Sequence, residues 1–323
     1  MEQKISSSIA NAKTNVAYYI PSSLELATIK GSDTLDFLNR ISTNEVLSLK
    51  KGESIQTVLT SDKGRIIDVL TLVCKDNNDL LVLSSNPTIQ PTIQWLKKYL
   101  IMEDVKIKTM QEYVGIELHG PRSIDVVKEL FSFENFECTF QTYSVHSETG
   151  TVILRIPSLS EISVLLIIPK ENSSVIQSIE SSLEQLSVYE KEFLRIEAGL
   201  GASPNELNDR YNPLEAGLLH IINFKKGCYI GQEVIARLDS YNKVKQRLFG
   251  IKSKYPIETT ASIIVENSVV GAVTSVTELP NKTYMGLCYI RGEYAQEGYS
   301  VVVKNSTEEL MTASVHKLPM EHE

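Results

Sequence analysis

Lys226-Gly227-Cys228-Tyr229-Ile230-Gly231-Gln232-Glu233, followed by Ala236-Arg237, joins two glycines, a lysine, a thiol and two polar side chains ahead of a short amphipathic segment. The stretch marks a junction between two kinds of sequence, and apolar packing alone does not explain such a density of special residues. Glu233 to Leu238 reads as a helix, so Cys228 stands just before a helix N-terminus, with Lys225 and Lys226 close by. A helix dipole and nearby cations favour a thiolate. The opposite reading keeps Cys228 as a small buried filler, the common fate of a lone cysteine.

Upstream of the junction the chain alternates strands and helices. Ala27 to Lys30 reads as a strand, and Ser32 or Asp33 caps a helix that sets Leu35, Phe37, Leu38 and Ile41 on one side. Ile55 to Thr60 and Arg65 to Val73 flank Ser61-Asp62-Lys63-Gly64, a hairpin connection. Asp76-Asn77-Asn78 turns the chain into a third strand, Leu80 to Leu83. Pro91 then enters the first turn of a helix whose buried face is Trp95, Leu96 and Tyr99. The pattern repeats in kind: a strand at Tyr113 to Leu118, a helix opened by Gly120-Pro121, strands near Val152 to Ile156 and Ile162 to Ile168, and a helix through Val175 to Leu186. Such βαββαβ-like alternation predicts an α+β protein built from ferredoxin-like α/β units.

Downstream the character changes. Leu248–Lys252, Ser262–Val265, Val269–Val276, Met285–Tyr289 and Ser300–Val303 are short β-rich stretches separated by Gly, Pro and Asn, which predicts a small C-terminal β-barrel. The expected organisation is a region 1–243 of two α/β subdomains, with an internal boundary near 110 and a return near 188, and a barrel domain 244–323.

A length of 323 residues suits more than one domain, and 42% hydrophobic with 22% charged residues suits a folded globular chain. A formal charge of -8 argues against stable nucleic-acid binding. Met1 to Ser8 lacks the apolar core of a signal peptide, and the longest aliphatic run, Val164 to Ile168, is too short for a bilayer, so a cytoplasmic protein without membrane association is expected. Cys74, Cys138, Cys228 and Cys288 are scattered without a C-x-x-C, and His119, His146, His220, His316 and His322 form no close ligand pair, so no metal site is written. His220 alone lies near the junction motif. Gly199-Leu200-Gly201 follows a helix and Pro204 takes the place of a third glycine, which excludes a dinucleotide fingerprint. Lys225, Lys226, Arg237, Lys243, Lys245 and Arg247 form a locally basic stretch, either a plain solvated surface or a receiver of anionic groups.

Glu190 to Leu200 reads as a helix ended by Gly199 or Gly201, with Phe193, Leu194 and Ile196 facing the core. Within it, Leu194-Arg195-Ile196-Glu197-Ala198-Gly199 is similar to the L-R-x-E-A-G helix of aminomethyltransferases. Lys226 to Arg237 resembles the K-G-C-Y-x-G-Q-E-x-x-A-R signature of the YgfZ family, relatives of the glycine-cleavage aminomethyltransferase, and Gly31 to Val46 resembles that family's G-x-D-x-x-x-F-L…T-N-D-V segment, with Glu45 in place of the aspartate.

The resemblance implies a fold like that of the glycine-cleavage aminomethyltransferase and a central cleft for tetrahydrofolate or a one-carbon derivative. It also implies service to iron–sulfur client or assembly proteins, including enzymes that thiolate transfer RNA. Carried over, Glu197 is the pterin contact, since one carboxylate accepts two adjacent N–H groups; its other reading is an ion-pair partner of Arg195 or Lys191. Lys226, Gly227, Tyr229, Gln232 and Arg237 accompany it as cofactor-binding positions, and Cys228 as the working thiol. Gly64-Arg65-Ile66-Ile67-Asp68-Val69 resembles the G-G-I-x-D-D segment, in which an aspartate lies near the reactive folate nitrogen. Here only Asp68 remains as a catalytic candidate, because Val69 replaces the second aspartate. Period-2 alternation puts Asp68 with Ile66 and Leu70, towards a cleft or a buried partner. The implied function is a folate-binding accessory factor; the alternative is a folate-dependent aminomethyltransferase or related one-carbon transferase.

Overall fold

The computed structural model describes residues 6–134 and 136–320. Most of the run Met1–Ser8, and His322, lie outside the described residues. The chain forms two antiparallel-rich sheets and a closed six-stranded barrel. In the first sheet the order is Ser54–Thr60, Ile66–Asp76, Asp79–Ser84, Leu26–Lys30 and Lys106–Met110. Helices Thr34–Ile41 and Gln90–Lys97 cover one face, through Phe37, Leu38, Ile41, Trp95 and Leu96. The second sheet repeats the plan with Tyr143–Val145, Val152–Arg155, Ser163–Pro169 and Tyr113–His119, covered by helices Ser123–Phe131 and Ser173–Ser182. Each unit is thus βαββαβ with one added edge strand. In the second, the N-terminal strand Ala17–Tyr19 slots between Tyr113–His119 and the closing strand Glu184–Gln185. The expected fold class, an α+β framework with a C-terminal barrel, is what the chain adopts.

Local readings needed adjustment where pairing overrode propensity. The helix expected to reach Leu186 stops at Ser182, because Glu184 and Gln185 pair in parallel with Ala17 and Tyr18, and the Leu186 N–H donates to the Tyr18 carbonyl at 2.7 Å. The helix expected from Glu190 to Leu200 is Val188–Ala198: Ser187 and Glu190 form a reciprocal capping box, and Gly199 ends it at φ 74°. A Cβ at Gly199 would also stand 2.6 Å from Leu318 Cβ, so glycine is required there twice over. Tyr99 is 36% exposed and lies against Trp95 at 4.7 Å between ring centroids, not in the core. Ser7–Thr14, Lys106–Met110, Tyr143–Val145 and Leu310–His316 are further elements. The last closes the barrel, burying only Ala313 and Val315 of its seven residues.

The two sheets pack face to face through Leu26, Val73 and Leu81 against Val152, Leu154, Leu165 and Ile167. Helix Val188–Ala198 then runs to the barrel, where Phe193, Leu194 and Ile196 meet Leu248, Leu287 and Tyr289. Each such buried side chain contributes about 1.5–3 kcal/mol. Arg195 locks this joint. Its Nε and Nη2 bond Glu192 at 2.8 and 2.6 Å, Nη1 bonds Glu206 at 3.0 Å and the Leu200 carbonyl, and Nη2 also reaches Ser275 Oγ on the barrel at 2.7 Å. All five guanidinium N–H directions are used. Among the described residues, no helix is long and apolar enough to cross a membrane.

Candidate functional site

Where the two sheets diverge beside helix Val188–Ala198, a cleft of about 610 Å³ opens. Its walls come from every part of the molecule: Val69 and Thr71 of the first sheet, Glu117 and His119 of the second, Lys191, Arg195 and Ala198 of the helix, Leu248 of the barrel, and Leu318 and Pro319 of the tail. The tail is held by a hydrogen bond from Met320 N–H to the Glu197 carbonyl at 2.8 Å. A second groove of about 690 Å³, bearing Glu45 and Glu53, continues from the cleft and shares Gln56, Pro157, His220 and Ile221 with it. His220, singled out by its sequence position, is exposed where the two meet.

Strand alternation decides which side chains reach the cleft. Along Ile66–Asp76, Val69 and Thr71 face it, whereas Leu70 and Leu72 face the helix layer. Asp68 goes with the latter. Its carboxylate accepts Ser84 Oγ–H at 2.6 Å, Thr92 Oγ–H at 2.7 Å, Ser85 Oγ–H at 2.9 Å and Ser85 N–H at 3.1 Å, and it is 1% exposed. Four donors fill its four acceptor directions. Burial raises its pKa, against the pull of these hydrogen bonds. The catalytic role considered for Asp68 is therefore not supported: it is a buried latch between strand and helix, and Val69 occupies the cleft position beside it.

The opposite wall carries a polar group that the sequence did not single out. Glu117 has 14% side-chain exposure and lies between Lys191 Nζ, at 3.1 and 3.0 Å from its two oxygens, and His119 Nε2 at 3.1 Å. Burial works against its ionisation, but His119 and Lys191 outweigh it and hold the carboxyl below its ordinary value. His119 Nδ1 is 2.7 Å from Ser163 Oγ, which accepts Leu159 N–H at 3.1 Å. Lys191 Nζ also sits 4.5 Å from the Tyr19 ring centroid. The available signal was the polar pair Glu117 and His119, two apart on an otherwise apolar strand, opposite Lys191 on the helix.

The junction motif builds a support instead of a cleft wall. Lys226 Nζ donates to the carbonyls of Asn39, Ser42 and Asn44 at 2.6, 2.9 and 2.5 Å, stapling the loop to the end of helix Thr34–Ile41. Its ammonium is thereby spent, and it is neither a free cation for a ligand nor one for Cys228. Thr60 Oγ–H donates to the Ile230 carbonyl at 2.6 Å, and Gly231, at φ 82°, lies where a Cβ would come 2.5 Å from the Ser61 carbonyl. Tyr229 packs with Leu214, Ile222 and Ile235, and burial pushes its hydroxyl up to about 12. Gln232 and Arg237 lie on helix Gln232–Ser240, half-buried and exposed respectively, and Gly227 and Cys228 are exposed. The buried-filler reading of Cys228 is excluded by that exposure.

Glu197 stands outside the cleft proper. It lines an adjoining hollow of about 520 Å³, which shares Leu159, Ala198 and Pro319 with the cleft, and accepts from Lys13 Nζ at 2.6 Å. None of Glu197, Lys226, Gly227, Tyr229, Gln232, Arg237, Cys228 or Asp68 lines the cleft itself. Among the described residues, no group of three or more His, Cys, Asp or Glu side chains is disposed to hold a metal ion.

The chain is 32% identical over 293 residues to a chloroplastic protein of Arabidopsis thaliana named "putative transferase", covering 85% of this chain and 65% of that one. It thus spans just under two thirds of that relative's length. It is 26% identical over 310 residues to an aminomethyltransferase of Halothermothrix orenii, covering 90% of this chain and 84% of the relative. In structure it resembles the glycine cleavage system aminomethyltransferase T of Bartonella henselae, with a TM-score of 0.83 and 20% identity over 97% of this chain and 88% of that one. The GCVT N-terminal domain model matches residues 1–226, so the chain belongs to the GCVT N-terminal domain family, related to the glycine-cleavage aminomethyltransferase.

Proposed function

We propose that this chain binds tetrahydrofolate, or a one-carbon derivative of it, in the central cleft, and acts as a YgfZ-type accessory factor for iron–sulfur proteins, including enzymes that thiolate transfer RNA, in the cytoplasm. The observation that carries the accessory reading over turnover is the cleft face of strand Ile66–Asp76. Val69 stands there, and the neighbouring Asp68 is turned away with its oxygens filled. Transfer of a one-carbon unit needs an acid or base near the reacting nitrogen; this strand offers none, and the carboxylate of the opposite wall, Glu117, is tied to His119 and Lys191. The motif around Cys228 is complete and its thiol is exposed, which supports a working thiol on the partner-facing surface. The family pattern assigns ring recognition to Glu197, at the cleft rim with Lys13.

The second reading, an aminomethyltransferase, is favoured by the names of the relatives just described. Two measurements test these readings. Anaerobic calorimetric titration with tetrahydrofolate gives saturable binding under either reading, and its absence would sink both. Cys228→Ala is then compared with wild type in restoring an iron–sulfur enzyme's activity. Loss of that activity with retained folate binding supports the accessory role, whereas indifference to Cys228 together with measurable aminomethyl transfer supports the enzyme.

A further inference from the structure

We infer that Glu117 and Lys191 form the ring-recognition pair of the cleft, reading a heterocycle edge that presents two adjacent N–H donors and a carbonyl, with His119 and Ser163 as positioning residues. The ligand class, a 2-amino-4-oxo pteridine, rests on the folate reading; the pair itself rests on geometry. An ionised carboxylate only accepts, so His119 Nε2, 3.1 Å from Glu117, must carry a proton and donate it. In a neutral imidazole Nδ1 is then bare and accepts the Ser163 hydroxyl at 2.7 Å, while Ser163 Oγ is itself fixed by Leu159 N–H. Ser163 and His119 are both fully buried, so this relay ends in the cleft at Glu117 and holds one carboxylate oxygen in place.

That carboxylate still has acceptor capacity. Of its four acceptor directions, His119 takes one on Oε2 and Lys191 donates to one on Oε1; the 3.0 Å approach of Nζ to Oε2 is an ion-pair contact, not a second hydrogen bond. Asp68 and Arg195 have no such vacancy. A ring edge entering the cleft places one N–H on the open direction of Oε1. The second N–H takes the open direction of Oε2, and Lys191 keeps its bond to Oε1 while another N–H of its ammonium turns to the ring carbonyl. Every donor and acceptor remains paired, and the carboxylate keeps its cation. A purely architectural ion pair needs neither the relay nor a position in the cleft wall.

The test titrates wild type, Glu117→Gln and Glu197→Gln with 5-formyltetrahydrofolate, and with two bare rings, pterin (2-amino-4-oxo) and lumazine (2,4-dioxo). Glu117→Gln is expected to weaken folate binding by at least about tenfold, the scale of a lost charge-assisted pair, and to abolish a wild-type preference for pterin over lumazine. Glu197→Gln keeps that preference. His119→Leu is expected to reduce it, and His119→Gln, which retains an N–H donor, to restore it, a pattern that general loss of packing would not produce. Should Glu117→Gln not fold, Lys191→Met serves: it is expected to weaken pterin and lumazine alike, because both carry the 4-oxo group to which the ammonium turns, and unchanged affinities would overturn the pair. A wild type that binds folate and prefers pterin, with Glu117→Gln unaffected and Glu197→Gln impaired, overturns the pair and leaves the folate reading standing. A wild type that ignores the folate yet prefers pterin through Glu117 sinks the folate reading and keeps the pair. Failure to bind any of the three ligands overturns both.

Discussion

The two α/β units share one plan but use their carboxylates in opposite ways. On strand Ile66–Asp76 of the first, Asp68 turns to the helix layer and is closed by four donors. On strand Tyr113–His119 of the second, Glu117 turns to the cleft, with two hydrogen bonds on four acceptor directions. One position along a strand decides the matter, because neighbouring side chains leave opposite faces. Of these two carboxylates, the saturated one belongs to the architecture, and the one with open acceptor directions faces the space where a ligand fits.

The most severe test of that division is Arg195→Met. It removes the cation that joins helix Val188–Ala198 to Glu206 and Ser275, and leaves the buried Glu206 with hydrogen bonds from Ser275 and Ala202 but no cation. A stability loss of about 3–5 kcal/mol is expected in urea denaturation; a variant as stable as wild type would show that the joint does not depend on this network. Lys226→Met should cost about 3 kcal/mol by leaving the carbonyls of Asn39, Ser42 and Asn44 without their donor. Its thermal melt should shift accordingly, although the residue does not line the cleft.

The direct comparison is Asp68→Asn beside Glu117→Gln. The first is expected to lose about 2 kcal/mol of stability, from weakened charge-assisted bonds to Ser84, Ser85 and Thr92, and to keep its affinity for tetrahydrofolate. The second should do the reverse. An Asp68→Asn protein that is stable but cannot bind folate would break the contrast.

The smallest effect concerns acid. Burial works against ionisation of Glu190, but hydrogen bonds from Ser6, Ser8 and Ser187 outweigh it and hold the carboxyl at about 2, below an ordinary 4.5. A lowered carboxyl pKa stabilises the folded state fully above pH 4.5, and that contribution is lost as pH falls towards 2. Glu190→Gln lacks it at neutral pH, so the acid-unfolding curves of variant and wild type should converge as pH falls through this window. Parallel curves would rule out the capping box as an acid-sensitive contact.

Much of this protein was legible in its residues. Apolar periodicity gave the helices around Phe37 and Leu38 and around Phe193 and Leu194, the polar Ser61 to Gly64 turn gave its hairpin, and the short strands after Arg247 gave the barrel. These signals are local, because a buried stripe or a tight turn is encoded within a few residues. The edge strands Lys106–Met110 and Tyr143–Val145 were not legible, since an edge with few buried side chains looks like loop until a partner pairs with it. The site was less legible still. Motif residues such as Lys226 and Gly231 announced that the loop mattered, but not that they serve as staples. Only the tertiary structure brought Glu117, His119, Ser163 and Lys191 together from two strands and a helix. It also turned Asp68 from the cleft: alternation in the sequence fixes which residues share a face, but what lies opposite that face is decided by the packing of one unit against another.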